Sequence, residues 1–118
     1  MNLSDLKIPD LENKMGEWIV KCDDAANTWA QTKADYETHE EGKKILLATI
    51  IKELSGSYAA KESEAYAHPK FAEWVEINKI LRRDYLVSLA NYEMAKLRVD
   101  CIRSLLRTRR EELKRFVS

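Results

Sequence analysis

Residues 71–116 read FAEWVEINKILRRDYLVSLANYEMAKLRVDCIRSLLRTRREELKRF, and the spacing of their apolar members decides the fold. Phe71, Asn78, Tyr85, Tyr92, Val99, Leu106 and Leu113 recur at every seventh place. Trp74, Leu81, Ser88, Ala95, Ile102, Arg109 and Phe116 interleave with them. A stripe that repeats at seven runs along one side of an α-helix and needs a second helix to cover it. A helix over about 69–116 is predicted, with Pro69 in its first turn, where its missing amide hydrogen has no partner to lose. His68, as the residue before a proline, is pushed out of the α region and closes the segment ahead of it.

That preceding segment, about 57–67, predicts a short helix with Ser57 as N-cap and Tyr58, Ala59, Glu62, Ala65 and Tyr66 behind it. Further upstream, Met15, Trp18, Cys22, Ala25, Trp29, Thr32, Tyr36, His39, Lys43, Leu46 and Ile50 follow steps of three and four. Ile19, Ala26, Leu47 and Leu54 widen this stripe, as a helix burying one face requires. A first long helix over about 10–55 is expected, started by Asp10 as N-cap and ended by Gly56 as a left-handed C-cap. Gly42, in Glu40-Glu41-Gly42-Lys43-Lys44, is the place for a bend or break, and both a continuous and a split helix stay open.

Folding the chain about the short helix sets Trp18 near Leu105, Cys22 near Cys101, and Ile50 and Leu54 near Phe71 and Trp74. The charge pattern supports the same pairing. The formal net charge of the 118 residues is zero, but residues 10–41 hold nine acids against three lysines. Residues 96–118 hold eight bases against three acids, so an acidic helix lies along a basic one. Each exposed pair contributes under about 1 kcal/mol, enough to bias orientation but not to hold the fold. The expectation is one all-α domain: a long antiparallel helical hairpin, coiled-coil-like, with a short connecting helix. Polar residues in mid-seam (Thr32, His39, Lys43, Asn78 and Ser88) and a thin apolar core predict association into a helical bundle, as a dimer or higher homo-oligomer.

Composition excludes other classes. Three glycines and two prolines are too few for a chain of strands and turns, and 45% hydrophobic residues are too many for a disordered one. The apolar run Ile45–Ile51, broken by Thr49, falls short of the ~18 residues that cross a bilayer, so no membrane contact is expected. The start Met-Asn-Leu-Ser-Asp-Leu-Lys lacks the pattern of a secretory signal. With only Cys22 and Cys101, a reduced cytoplasmic setting is expected. Level in the pairing, the two thiols are within conceivable reach of a disulfide, while reduced thiols packed as small hydrophobes are the plainer expectation.

No phosphate-cradling glycine loop, Ser/His/Asp set, zinc spacing or clustered carboxylate pair is present, so no enzyme activity, catalytic residue or cofactor is predicted. His39-Glu40-Glu41 and Glu64 with His68 have helical spacing, yet no Glu-x-x-His occurs, so no metal site is predicted. Two candidate surfaces remain. Arg103, Arg107, Arg109, Arg110, Lys114 and Arg115 form a basic end suited to nucleic-acid phosphates, or to the acidic first helix. Tyr58 and Tyr66, on the short helix, are candidates for protein contact, whereas the other aromatic residues mostly fall on the seam.

Lys44-Ile-Leu-Leu-Ala48, Gly56-Ser-Tyr-Ala-Ala-Lys-Glu-Ser-Glu-Ala65, His68-Pro-Lys-Phe71, Tyr92-Glu-Met-Ala-Lys-Leu-Arg98 and Arg107-Thr-Arg-Arg110 carry a resemblance. The stretch from Lys43 to Arg110 resembles small helical proteins of tailed bacteriophages and prophages: a long helix, a short Ala/Glu/Ser helix, then a long helix ending in arginines. Several such proteins are encoded among genes for DNA recombination or replication. The resemblance implies an accessory protein of the bacterial host cytoplasm that works through protein contacts with recombination, replication or host-defence machinery. It transfers no residue roles. A nucleic-acid-binding helical dimer and a virion assembly or structural protein are the alternatives.

Overall fold

The computed structural model describes residues 2–117. After a 3₁₀ turn at Leu3–Asp5, four α-helices follow: α1 (Ile8–Glu41), α2 (Lys43–Glu53), α3 (Tyr58–Tyr66) and α4 (Pro69–Val117). The described residues form no strand, and the chain is an all-α helical hairpin. Its contacts divide it into two compact units: an inner unit, Ala30–Val87, and a terminal unit built from the chain up to Trp29 and from Ser88 onward.

In the inner unit, Ile50 of α2, Ala65 of α3 and Phe71 of α4 are buried together, with Leu46, Leu47, Ile51, Leu54, Trp74 and Val75 packed around them. Each fully buried large side chain contributes about 1.5–3 kcal/mol. A run of rings extends the packing: Tyr66 meets Phe71 edge-on at 5.3 Å, and Phe71 stacks on Trp74 at 5.6 Å. Tyr36 and Tyr85 approach to 5.7 Å between α1 and α4. Ile50 and Leu54 thus reach Phe71 and Trp74, as the heptad pairing requires.

In the terminal unit, Leu11 and Ile102 are fully buried and Leu106 nearly so. Leu3, Leu6, Ile8, Met15, Trp18 and Leu105 pack against this cluster. Trp29 stacks on Tyr92 at 5.5 Å, and Arg110 reaches Glu12 at 3.4 Å. Glu12 opposite Arg110, Arg98 over Trp18 and Trp29 opposite Tyr92 make α1 and α4 antiparallel here.

Of the two forms left open for the first long helix, the split one is found: it is divided into α1 and α2 at Gly42, whose backbone stays right-handed at φ −72° and ψ −13°. Its N–H is shared between the carbonyls of Thr38 (3.3 Å) and His39 (3.2 Å), so the ladder loosens for one residue. Asp10 is not the N-cap. The helix begins at Ile8, the Leu11 N–H bonds the Lys7 carbonyl at 2.9 Å, and Asp10 lies in the first turn, where its charge favours the helix dipole. Gly56 is not the C-cap either. Leu54 caps α2 in an extended conformation, and Gly56, at φ 116°, turns the chain toward α3 instead.

The other caps form as predicted. The Ser57 hydroxyl accepts the Ala60 N–H at 3.3 Å. His68 precedes α4, and its Nδ1 accepts the Lys70 N–H at 3.1 Å, beside Pro69, which has no N–H to satisfy.

Candidate interaction surfaces

The polar middle of the seam, within the inner unit, is a connected network. The Asn78 amide faces two groups of α1: Oδ1 lies 3.0 Å from His39 Nδ1, and Nδ2 donates to Glu40 Oε1 at 2.8 Å. With Asn78 Oδ1 accepting, His39 carries its proton on Nδ1. Tyr36 hydrogen-bonds the same Glu40 carboxylate. The Trp74 indole donates to the His39 carbonyl at 3.1 Å while its ring stacks on the His39 imidazole at 4.8 Å. Lys43 Nζ stands 5.8 Å from the centre of the Trp74 ring.

Electrostatics follow from these contacts. The hydrogen bond from Asn78 holds the Glu40 carboxyl below its ordinary range, assisted by Tyr36 and Lys43 against the desolvation of its half-buried site. Burial, then the hydrogen bond to Glu40, pushes the Tyr36 phenol up. The network ties α1 to α4 and fixes their register.

The two aromatic candidates on α3 have separate surroundings. Tyr66 is tied to the buried cluster through Phe71, whereas Tyr58 is 70% exposed. Of the two, Tyr58 is the open ring.

The six basic candidates also divide. Arg103, Arg107, Arg110 and Lys114 follow one another at four, three and four places, which puts them in one row along α4, beside a groove that also takes in Glu12, Met15, Leu106 and Glu111. Arg109 points elsewhere: it donates to the Ser4 carbonyl and lies 3.5 Å from Glu112. Arg115 lines a different groove, with Leu6, Ile8 and Phe116. The expected pairing of acidic α1 with the basic end is realised between Glu12 and Arg110. Arg103 pairs along its own helix with Asp100 at 3.1 Å. The guanidinium of Arg98 instead lies over the face of Trp18, 5.4 Å from the ring centre.

Cys22 is half-buried, Cys101 exposed, and both thiols are free. Among the described residues, no group of three or more His, Cys, Asp or Glu side chains is placed to hold a metal ion. No helix of the described residues is long and apolar enough to cross a membrane.

Sequence reasoning missed two surfaces. Leu3, Leu6 and Ile8 fold onto the terminal cluster, although their apolar spacing ahead of Pro9 was open to notice. On α4, large apolar side chains also stand exposed outside the seam: Ile77, Ile80, Leu86 and Val87 in the inner unit, Met94 and Leu97 in the terminal unit. Ile80 and Val87 lie seven apart, a second heptad-spaced set hidden by the stronger first one.

The chain matches no protein-family model, no curated protein and no solved structure.

Proposed function

We infer that this chain is a non-enzymatic accessory protein that acts by docking another protein on the outward side of α4. The supporting observation is the set of exposed apolar residues on that helix. Single exposed apolar side chains are ordinary on any surface. Here Ile77 and Ile80, three apart, and Ile80 and Val87, seven apart, share a helix side that the seam leaves uncovered. Met94 and Leu97 form a similar pair in the terminal unit, each about two-thirds exposed. Helical spacing of this kind is what an incoming helix packs against. A place among phage accessory proteins, in recombination, replication or host defence, belongs to the same proposal and rests on the motif resemblance alone.

The test is affinity capture from nuclease-treated bacterial lysate, comparing the native chain with an Ile80→Glu/Val87→Glu variant. Both residues are about half exposed, so the variant is expected to keep its helical circular dichroism. A protein recovered by the native chain and lost by the variant supports the proposal. Identical recoveries refute it.

Nucleic-acid contact is the second function with a specific observation behind it, the single row formed by Arg103, Arg107, Arg110 and Lys114. It predicts binding to duplex DNA that weakens steeply with salt and is lost in an Arg107→Glu/Arg110→Glu variant. Salt-independent binding, or binding unchanged in that variant, excludes it.

A further inference from the structure

In the terminal unit, Leu6, Ile8, Leu113 and Phe116 line an open groove of about 590 Å³. Its rim carries acids, Asp5 and Glu112, together with cations, Lys7, Arg109 and Arg115. The groove continues from the buried cluster of Leu11, Ile102 and Leu106, against which Leu6 and Ile8 are packed. Beside it, Phe116 is 93% exposed, Val117 82% and Leu113 56%. A phenylalanine that finds a cover buries on the order of 150–250 Å².

Two features of this patch decide what covers it. The first is that hole and knob lie together: an apolar groove, and at its edge an aromatic ring with almost no contacts of its own. A surface holding both fits a copy of itself, because a two-fold axis carries each knob to the other copy's hole. The second is the mixed rim. Arg109 is already engaged by Ser4 and Glu112, which leaves Lys7 and Arg115 as cations facing outward with Asp5. A second copy brings both signs to this rim, so that Asp5 of one copy has Lys7 and Arg115 of the other as partners, whereas a partner of one charge sign meets repulsion from part of the rim.

We propose that this chain self-associates through the groove, each Phe116 seated against Leu6, Ile8 and Leu113 of a second copy. The inference shares the view of the chain as a protein-contact molecule but uses a different surface and names its occupant. The groove and the ring beside it involve few residues against the about 20–30 a side of a standard interface, so association is sought up to millimolar concentration.

Sedimentation equilibrium of the full chain from micromolar to millimolar concentration tests this. The expected result is an average mass rising from 13.7 kDa toward twice that value. Phe116→Ser is expected to weaken the dimer by about a hundredfold or more, because one substitution removes two buried rings. The exposure of Phe116 in the monomer means that helical circular dichroism is retained, so a fall in association reports the interface. A mass that stays at the monomer value overturns the proposal. So does a dimer lost in Val87→Glu and indifferent to Phe116→Ser, which assigns self-association to the outward side of α4. Conversely, a Phe116-dependent dimer combined with lysate capture insensitive to Ile80→Glu/Val87→Glu upholds this inference while the docking proposal falls.

Discussion

Asn78 uses both ends of its amide between α1 and α4, facing His39 with the oxygen and donating to Glu40 with the nitrogen. Replacing it with leucine leaves a half-buried carboxylate and imidazole without their shared partner. Asn78→Leu is expected to cost about 1–3 kcal/mol, read as a lower urea midpoint with an unchanged slope. Glu40 adds a pH dependence. Its folded value lies below the ordinary 4.5, first because of the Asn78 hydrogen bond, so its contribution is present above the unfolded value and lost as pH falls through the folded one. Tyr36 has the opposite sign: raised above 10.0, chiefly by burial, it contributes below the unfolded value and loses that contribution as pH rises through the folded one. The urea midpoint is expected to drop on acidification below about pH 4.5, and Glu40→Gln to flatten that limb. The sequence marks His39, Lys43 and Asn78 as polar seam positions. Which groups the amide joins depends on side-chain direction, which periodicity does not encode.

At the scale of elements, the joints decide what substitution does. Gly56 sits at φ 116°, outside the conformations an L side chain adopts without strain. Gly56→Ala is expected to cost about 1–3 kcal/mol. Gly16 lies inside α1 with nothing within 4 Å of an added Cβ, so Gly16→Ala is expected to stabilise by up to about 1 kcal/mol. Thermal unfolding of both variants checks the opposite signs. The caps at Ser57 and His68-Pro69 were legible because each rests on local chemistry, a hydroxyl three residues from an amide and a proline without one. The start of α1 was not, because Ile8 packs on the terminal cluster and draws the helix two residues ahead of Asp10. The same tertiary packing holds Leu3 and Leu6, at either end of the Leu3–Asp5 turn, against the cluster; their apolar spacing is too short to define an element by itself.

For the molecule as a whole, the heptads of α4 and the opposed charges of the two ends made the antiparallel pairing readable, while in mid-seam His39 meets Asn78 and Trp74, several residues earlier on α4 than an even pairing about the short helix gives. Packing carries more of the stability than charge does. Leu11→Ala, which empties a fully buried site against Ile102 and Leu106, is expected to cost about 2–5 kcal/mol by urea titration. Breaking the exposed Glu12–Arg110 pair is expected to cost well under about 1 kcal/mol. The outward apolar residues of α4 escaped the sequence because a helix has one dominant stripe, and a second set reads as background until the first is known to be covered.

The placement of the two buried clusters also sets a clock. Ile50, Ala65 and Phe71 meet across at most 21 residues of chain, whereas Leu11 and Ile102 close a loop of 91. The longer closure costs about 1.3 kcal/mol more in chain entropy, so the inner contacts nucleate and the terminal ones zip up behind them. In stopped-flow chevrons, Ile50→Val is expected to slow refolding, while Ile102→Val leaves refolding nearly unchanged and speeds unfolding. The residues that meet last on folding part first on unfolding, so the lifetime of the native state is tuned where the two ends of the chain are joined.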